Sequence, residues 1–210
     1  MARLAATGVL ERVRHGVYVV RGAPHDDLRD LRAAWLSLDP SRTAAERLEG
    51  DEAPAVVSHW AATHVHELGV QQGTLVFTLP GRKQSRDADL RLHRGRIDPG
   101  DWEVLRGLPV TTVARTVADL AGKIVDGGHL AEVVRDAVVQ GKAQIVEVSD
   151  ALSPHAHRYG APTGDGRELV RRLLGEAGVP LHIGEIARLS KARAAPAASS
   201  GEVDGRRSHE

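Results

Sequence analysis

The chain has 210 residues, enough to bury a sizeable core and to form one or two domains. Its 28 basic and 28 acidic residues balance, so no global field draws it to nucleic acid or membrane, and any polyanion must be met by a local patch. Cysteine is absent and aromatics make up 3% of the residues, which excludes a disulfide framework, a thiolate zinc site, a cysteine nucleophile and a base-stacking platform. No apolar run reaches the length of a membrane span or signal-peptide core, so a soluble, cytoplasmic protein with no membrane partner is expected.

From the amino end, residues 2–6 are good helix formers that Gly8 would close. Val9, Leu10, Val13, Val17, Val19 and Val20 are strand formers on either side of Arg14, His15 and Gly16, the pattern of a hairpin turning near His15. A helix end, a glycine and an arginine-bearing hairpin, in that order, match the back half of a winged helix-turn-helix. In that motif the recognition helix enters the major groove and the wing lies on the phosphates. Arg3, Arg12, Arg14 and Arg21 against Glu11 leave the segment three charges positive. This reading gives Arg12 and Arg14 wing-to-phosphate contacts and turns Arg3 and Thr7 toward the groove, with His15 at the tip. Gly16 permits the turn and Tyr18 packs the wing. A helix of one or two turns and a lone hairpin are each marginal in water, so the wing must lean on the chain that follows.

Residues 25–38 set Leu28, Leu31, Trp35 and Leu38 at three- and four-residue steps, one face of a helix with Asp26 and Asp27 in its first turn. Asp39 and Pro40 are expected to close it and to open a short helix through Leu48, with residues 50–54 as a loop. Ser58 is the expected cap of a helix from His59 to Leu68, ended by Gly69. His59, His64 and His66 invite a metal, but spacings of five and two do not align three imidazoles on one helical face. They are expected to be ordinary surface histidines, and no metal or cofactor is expected. Residues 74–79 and 90–97 are strand-like, and 102–110 read as a third strand bending at Gly107. The window from Arg82 to Arg96 is the most basic in the chain, suited to a second nucleic-acid surface or to a solvated hairpin loop.

Thr111 or Thr112 can cap the next helix, in which Val113, Val117 and Leu120 share a face while Arg115 and Asp119, four apart, can pair. With no nucleophile or metal cluster beside it in the sequence, the pair is expected to be structural, and the chain is expected not to be an enzyme. Helices are also expected over residues 129–140, 153–159 and 165–177, the last with Leu169, Val170, Leu173 and Leu174 inward. From Lys191 the composition reads as a disordered tail.

Two stretches carry a family resemblance. The run Gly-Val-Leu-Glu-Arg-Val-Arg-His-Gly-Val-Tyr, from Gly8 to Tyr18, resembles the wing of the N-terminal domain of AbiEi-family antitoxins of type IV toxin-antitoxin systems. The pattern Thr111-Thr112, Arg115-Thr116, Asp119-Leu120-Ala121 is similar to that of actinobacterial AbiEi-type proteins. Ser58 to Ala62 and the run from His157 to Leu174 are similar to later parts of the same family. Because that family carries further helices ahead of the wing, the head of this chain is expected to be incomplete or its start placed late.

The resemblance implies a DNA-binding antitoxin that represses its own operon at inverted repeats in double-stranded operator DNA and counters a nucleotidyltransferase-like toxin. The expected fold is α+β: an incomplete winged helix over residues 1–21, a mostly helical domain with a small β-sheet over 24–180, and a tail over 191–210. One alternative is a protein-interaction domain with a decayed DNA-binding head. Another is the remnant of an endonuclease akin to very-short-patch-repair enzymes, because Glu202-Val203-Asp204-Gly205 resembles a strand-end motif of that group.

Overall fold

The computed structural model describes residues 8–49, 55–70, 73–85, 87–123 and 125–179. The expected first helix with Arg3 and Thr7, the loop over 50–54, and the tail with its Glu202–Gly205 motif lie outside the described residues.

A charged first strand, β1 (Leu10–Arg14), pairs with a valine-rich second, β2 (Val17–Val20), as a two-stranded antiparallel hairpin with Arg12 opposite Tyr18 and Glu11 opposite Val19. Gly16 takes the positive φ of 71° that the turn requires. The hairpin leans on helix α1 (Arg29–Leu38) and buries Val17 in doing so. Its tip rests on the turn after α1, so closely that a Cβ added at Gly16 would lie 2.5 Å from Cβ of Pro40. Gly16→Ala meets an unfavourable φ and a rigid ring together, and is expected to cost about 1–3 kcal/mol in a urea melt. A midpoint equal to that of the wild type would mean that the hairpin is not seated on Pro40.

Helix α1 buries Leu28, Leu31, Trp35 and Leu38, the expected stripe. It begins at Arg29 rather than His25, because Asp26 accepts a 2.8 Å bond from the Leu28 N–H and turns the chain ahead of the helix. Nor does Pro40 open the next helix. That helix, α2 (Ala44–Leu48), starts later, where Thr43 and Glu46 form a reciprocal capping box. Its Arg47 is buried, 3.9 Å over the Trp35 ring, and donates to the Trp35 carbonyl at 2.8 Å.

A mixed five-stranded sheet follows, made of β3 (Val56–Val57), β4 (Leu75–Leu79), β5 (Leu90–Arg94), β6 (Trp102–Leu105) and β7 (Leu108–Thr111). The strands lie in the order β5-β4-β3-β7-β6, with β4 and β5 parallel, β3 and β7 parallel, and the other neighbours antiparallel. The strand expected to bend at Gly107 instead reverses there. Arg106 and Gly107 take φ values of 51° and 77°, and two left-handed residues in succession make a tight hairpin turn.

Helix α3 (His59–His66) follows β3, and after β7 come α4 (Val113–Gly122), α5 (Gly127–Val139), α6 (Ile145–Leu152), a 3-10 segment (Ser153–Tyr159) and α7 (Gly166–Glu176). Side-chain caps set three of these starts: Thr112 for α4, Asp126 for α5 and Asp165 for α7. Helix α6 carries no sequence signal of the kind that marks the others. One core joins α1 and α3 to the sheet around Trp35, Phe77 and Leu108, and a second fills the space between Leu68 and helices α4 to α7. The fold is α+β. Among the described residues no helix is long and apolar enough to cross a membrane.

Candidate functional site

The hairpin tip presents Arg12 and His15, both exposed, with the Arg12 guanidinium 3.0 Å from Nδ1 of His15 and its Nε donating to the Arg14 carbonyl at 3.3 Å. Tyr18 is half-buried across the ladder from Arg12. Arg14 is placed differently from the expectation. Its guanidinium donates to the carboxylate of Asp87, and the two side chains are only 18% and 34% exposed. Arg14 therefore fastens the hairpin to the loop between β4 and β5, with its charge answered inside the protein.

The basic window is likewise partly engaged. Lys83 donates to the Leu38 carbonyl and Arg96 to Asp98 at 2.7 Å, while Arg82 and Arg91 are exposed.

The three histidines of α3 go to three places. His66 is buried, with Nε2 donating to the Thr111 carbonyl at 2.7 Å. His64 reaches Asp27 at 3.3 Å. His59 is also buried, so the expectation of surface histidines fails for two of the three. The reason is the short β3, which delivers the start of α3 straight from the centre of the sheet.

His59 opens a second site, a cleft of about 420 Å³ lined by residues of α4, β4 and β5 and by His155 of the 3-10 segment. His59 holds a positive φ of 53°, a conformation that costs a β-carbon-bearing residue about 1 kcal/mol and is kept only where its surroundings dictate it. Ser58 occupies the N-cap position but makes no side-chain cap bond. Its Oγ instead accepts from the Thr78 hydroxyl at 2.8 Å and lies 3.0 Å from Nδ1 of His59. Ser58 Oγ can donate to a bare Nδ1 or accept from Nδ1–H beside its bond from Thr78, so the contact holds the imidazole in place with either tautomer. Burial, with the charges of His93 and Lys123 adding to it, pushes His59 down to about 4, so it is neutral at pH 7.

The His93 ring lies 4.4 Å from that of His59, tilted by 31°, and burial lowers its pKa as well.

On the α4 wall the expected Arg115 and Asp119 pair is formed at 2.9 Å, with Thr112 capping the helix in front of it. Arg115 also holds Asp101 at 2.5 Å and the Arg96 carbonyl at 3.1 Å, so it ties the helix to the approach to β6. Burial would lower the Arg115 pKa, but Asp119 and Asp101 raise it overall. For Asp119 burial wins over the Arg115 contact, and its carboxyl titrates above the usual range. One of its oxygens, Oδ2, is shielded from solvent without a hydrogen-bond partner, and so is Nδ1 of His155. Among the described residues no group of three or more histidines and carboxylates is arranged to hold a metal ion.

Arg115, Asp119 and the cap at Thr112 are legible in the sequence because they share one helix. His93, Lys123, His155 and the role of His59 are not, since β5, the end of α4, the 3-10 segment and α3 supply them with no common motif.

No protein-family model matches the chain, and no curated protein matches it in sequence. Among solved structures it is similar to the RV2827C protein from Mycobacterium tuberculosis, with 17% identity and a TM-score of 0.49 over 93% of this chain and 69% of that one.

Proposed function

We propose that this protein is a non-enzymatic, cytoplasmic antitoxin of AbiEi type that binds double-stranded operator DNA and counters a nucleotidyltransferase-like toxin. The observation that carries this reading is the β1–β2 hairpin, which presents Arg12 and His15 outward while its opposite side is seated on α1 and Pro40. A wing needs such seating, because a phosphate contact is useful only if the guanidinium arrives at a fixed place on the backbone. Arg12 and His15 are assigned to the phosphate, and Arg14 to holding the hairpin in position.

The test is binding of the full chain to the DNA upstream of its own coding sequence over a range of salt concentrations. Arg12→Ala is expected to flatten the log-affinity against log-salt slope by about 0.9, the value of one phosphate contact, while Arg14→Ala leaves the slope nearly intact. An unchanged slope for Arg12→Ala removes the wing from DNA binding.

The Arg14–Asp87 pair favours a second reading, in which the hairpin is a structural strap and the region after Pro24 meets a protein partner. Under that reading the chain rescues cells from the toxin, shows no salt-dependent affinity for its upstream DNA, and loses nothing on Arg12→Ala.

A further inference from the structure

We propose that the cleft between α4 and the β4–β5 strands binds a small phosphomonoester that also carries hydroxyl groups, the chemistry shared by sugar phosphates and nucleotides. Its volume of about 420 Å³ lies within the usual range of small-molecule sites. The chain as a whole is neutral, but the cleft is not. Arg115 is answered by Asp101 and Asp119, whereas Lys123 and Arg94 line the same space and have no ion-pair partner among the described residues. Two unanswered cations suit a phosphomonoester dianion.

The floor adds donors and acceptors of defined direction. The Thr78–Ser58–His59 contacts hold the His59 imidazole in place, and in its Nε2–H tautomer it donates to a phosphate oxygen without giving up a proton. Asp119 Oδ2 and His155 Nδ1 are screened from solvent and unpaired, although buried polar atoms are nearly always bonded. A ligand hydroxyl satisfies Asp119 Oδ2, which bare phosphate dianion cannot do. The positive φ of His59 adds to this, since backbone strain of that kind is retained where a side chain must be aimed. None of this depends on the hairpin or on DNA.

Calorimetric titration of the full chain with inorganic phosphate, ribose 5-phosphate and adenosine 5′-monophosphate tests the proposal. Saturable binding of either organic phosphate, tighter than inorganic phosphate, is the expected result, and the tighter of the two identifies the source. Lys123→Met and Arg94→Met, both at exposed positions where folding is not at stake, are each expected to weaken binding by about tenfold or more, as for a lost charge-assisted hydrogen bond. Absence of saturation with all three compounds overturns the proposal, as does wild-type affinity in both variants. Equal affinity for inorganic phosphate and the organic phosphates overturns the hydroxyl-recognising part.

Discussion

Gly166→Ala is expected to destabilise the protein by about 3 kcal/mol or more, lowering its melting temperature by about 6–12 °C. Gly166 is the first residue of α7 and is packed against the end of α6. A Cβ there would lie 1.8 Å from the Ser149 carbonyl oxygen, 2.6 Å from Ser153 Oγ and 2.8 Å from the Ser153 nitrogen. Two of these three are backbone atoms, so one helix must be pushed off the other, and the core between Val148, Leu152, Leu169 and Val170 opens with it. Gly175, near the end of the same helix, is exposed and has nothing within 4 Å of its would-be Cβ. Gly175→Ala is expected to raise stability by about 0.5–1 kcal/mol, because alanine loses less backbone freedom on folding. Calorimetric melts of the two variants should therefore move in opposite directions, and a matching shift for both would contradict the close contact of α6 and α7.

Acidification from pH 6.5 to 4 is expected to remove about 3 kcal/mol of stability through His59 alone. The imidazole is held at about 4 in the fold against 6.5 in an open chain, with burial as the main cause. Between those two pH values the unfolded chain binds the proton and the folded one does not, so stability rises with pH across the window and falls as acid is added. His66, His93 and His155, all lowered by burial, act in the same direction. Asp119 acts against them, since its raised carboxyl takes up a proton earlier in the fold than in the open chain. Urea midpoints at pH 7 and pH 4.5 measure the effect. His59→Asn, which tolerates the positive φ, is expected to flatten most of it. Equal losses in wild type and variant would show that some other group is responsible.

What could be read from the sequence was local. In α4 the cap, the inward stripe and the Arg115–Asp119 pair all fall within a dozen residues, so spacing alone exposed them. The β1–β2 hairpin was legible for the same reason, with six strand formers around one glycine. Helix α6 was hidden because Ile145, Val146 and Val148 are β-branched, and eight residues give a periodic pattern too little room to show. Arg14 was read as a free wing arginine because its partner, Asp87, lies 73 residues further along the chain, beyond β4. The cleft was out of reach altogether. Its residues run from His59 to His155, and only the tertiary fold makes neighbours of them.

Strand β3 is two residues long and lies in the middle of the sheet, with Val57 paired to Val110 on one side and to Phe77 on the other. A chain leaving the ribosome amino end first must therefore keep Val56 and Val57 half-partnered until residues 58–109 have been synthesised, since loop closure has to precede the pairing it enables. Helices α4 to α7, by contrast, assemble from near neighbours within residues 113–176. The vulnerable period of biogenesis for this protein is the making of its first half, when an apolar strand waits for its last neighbour and is open to chaperones or to aggregation.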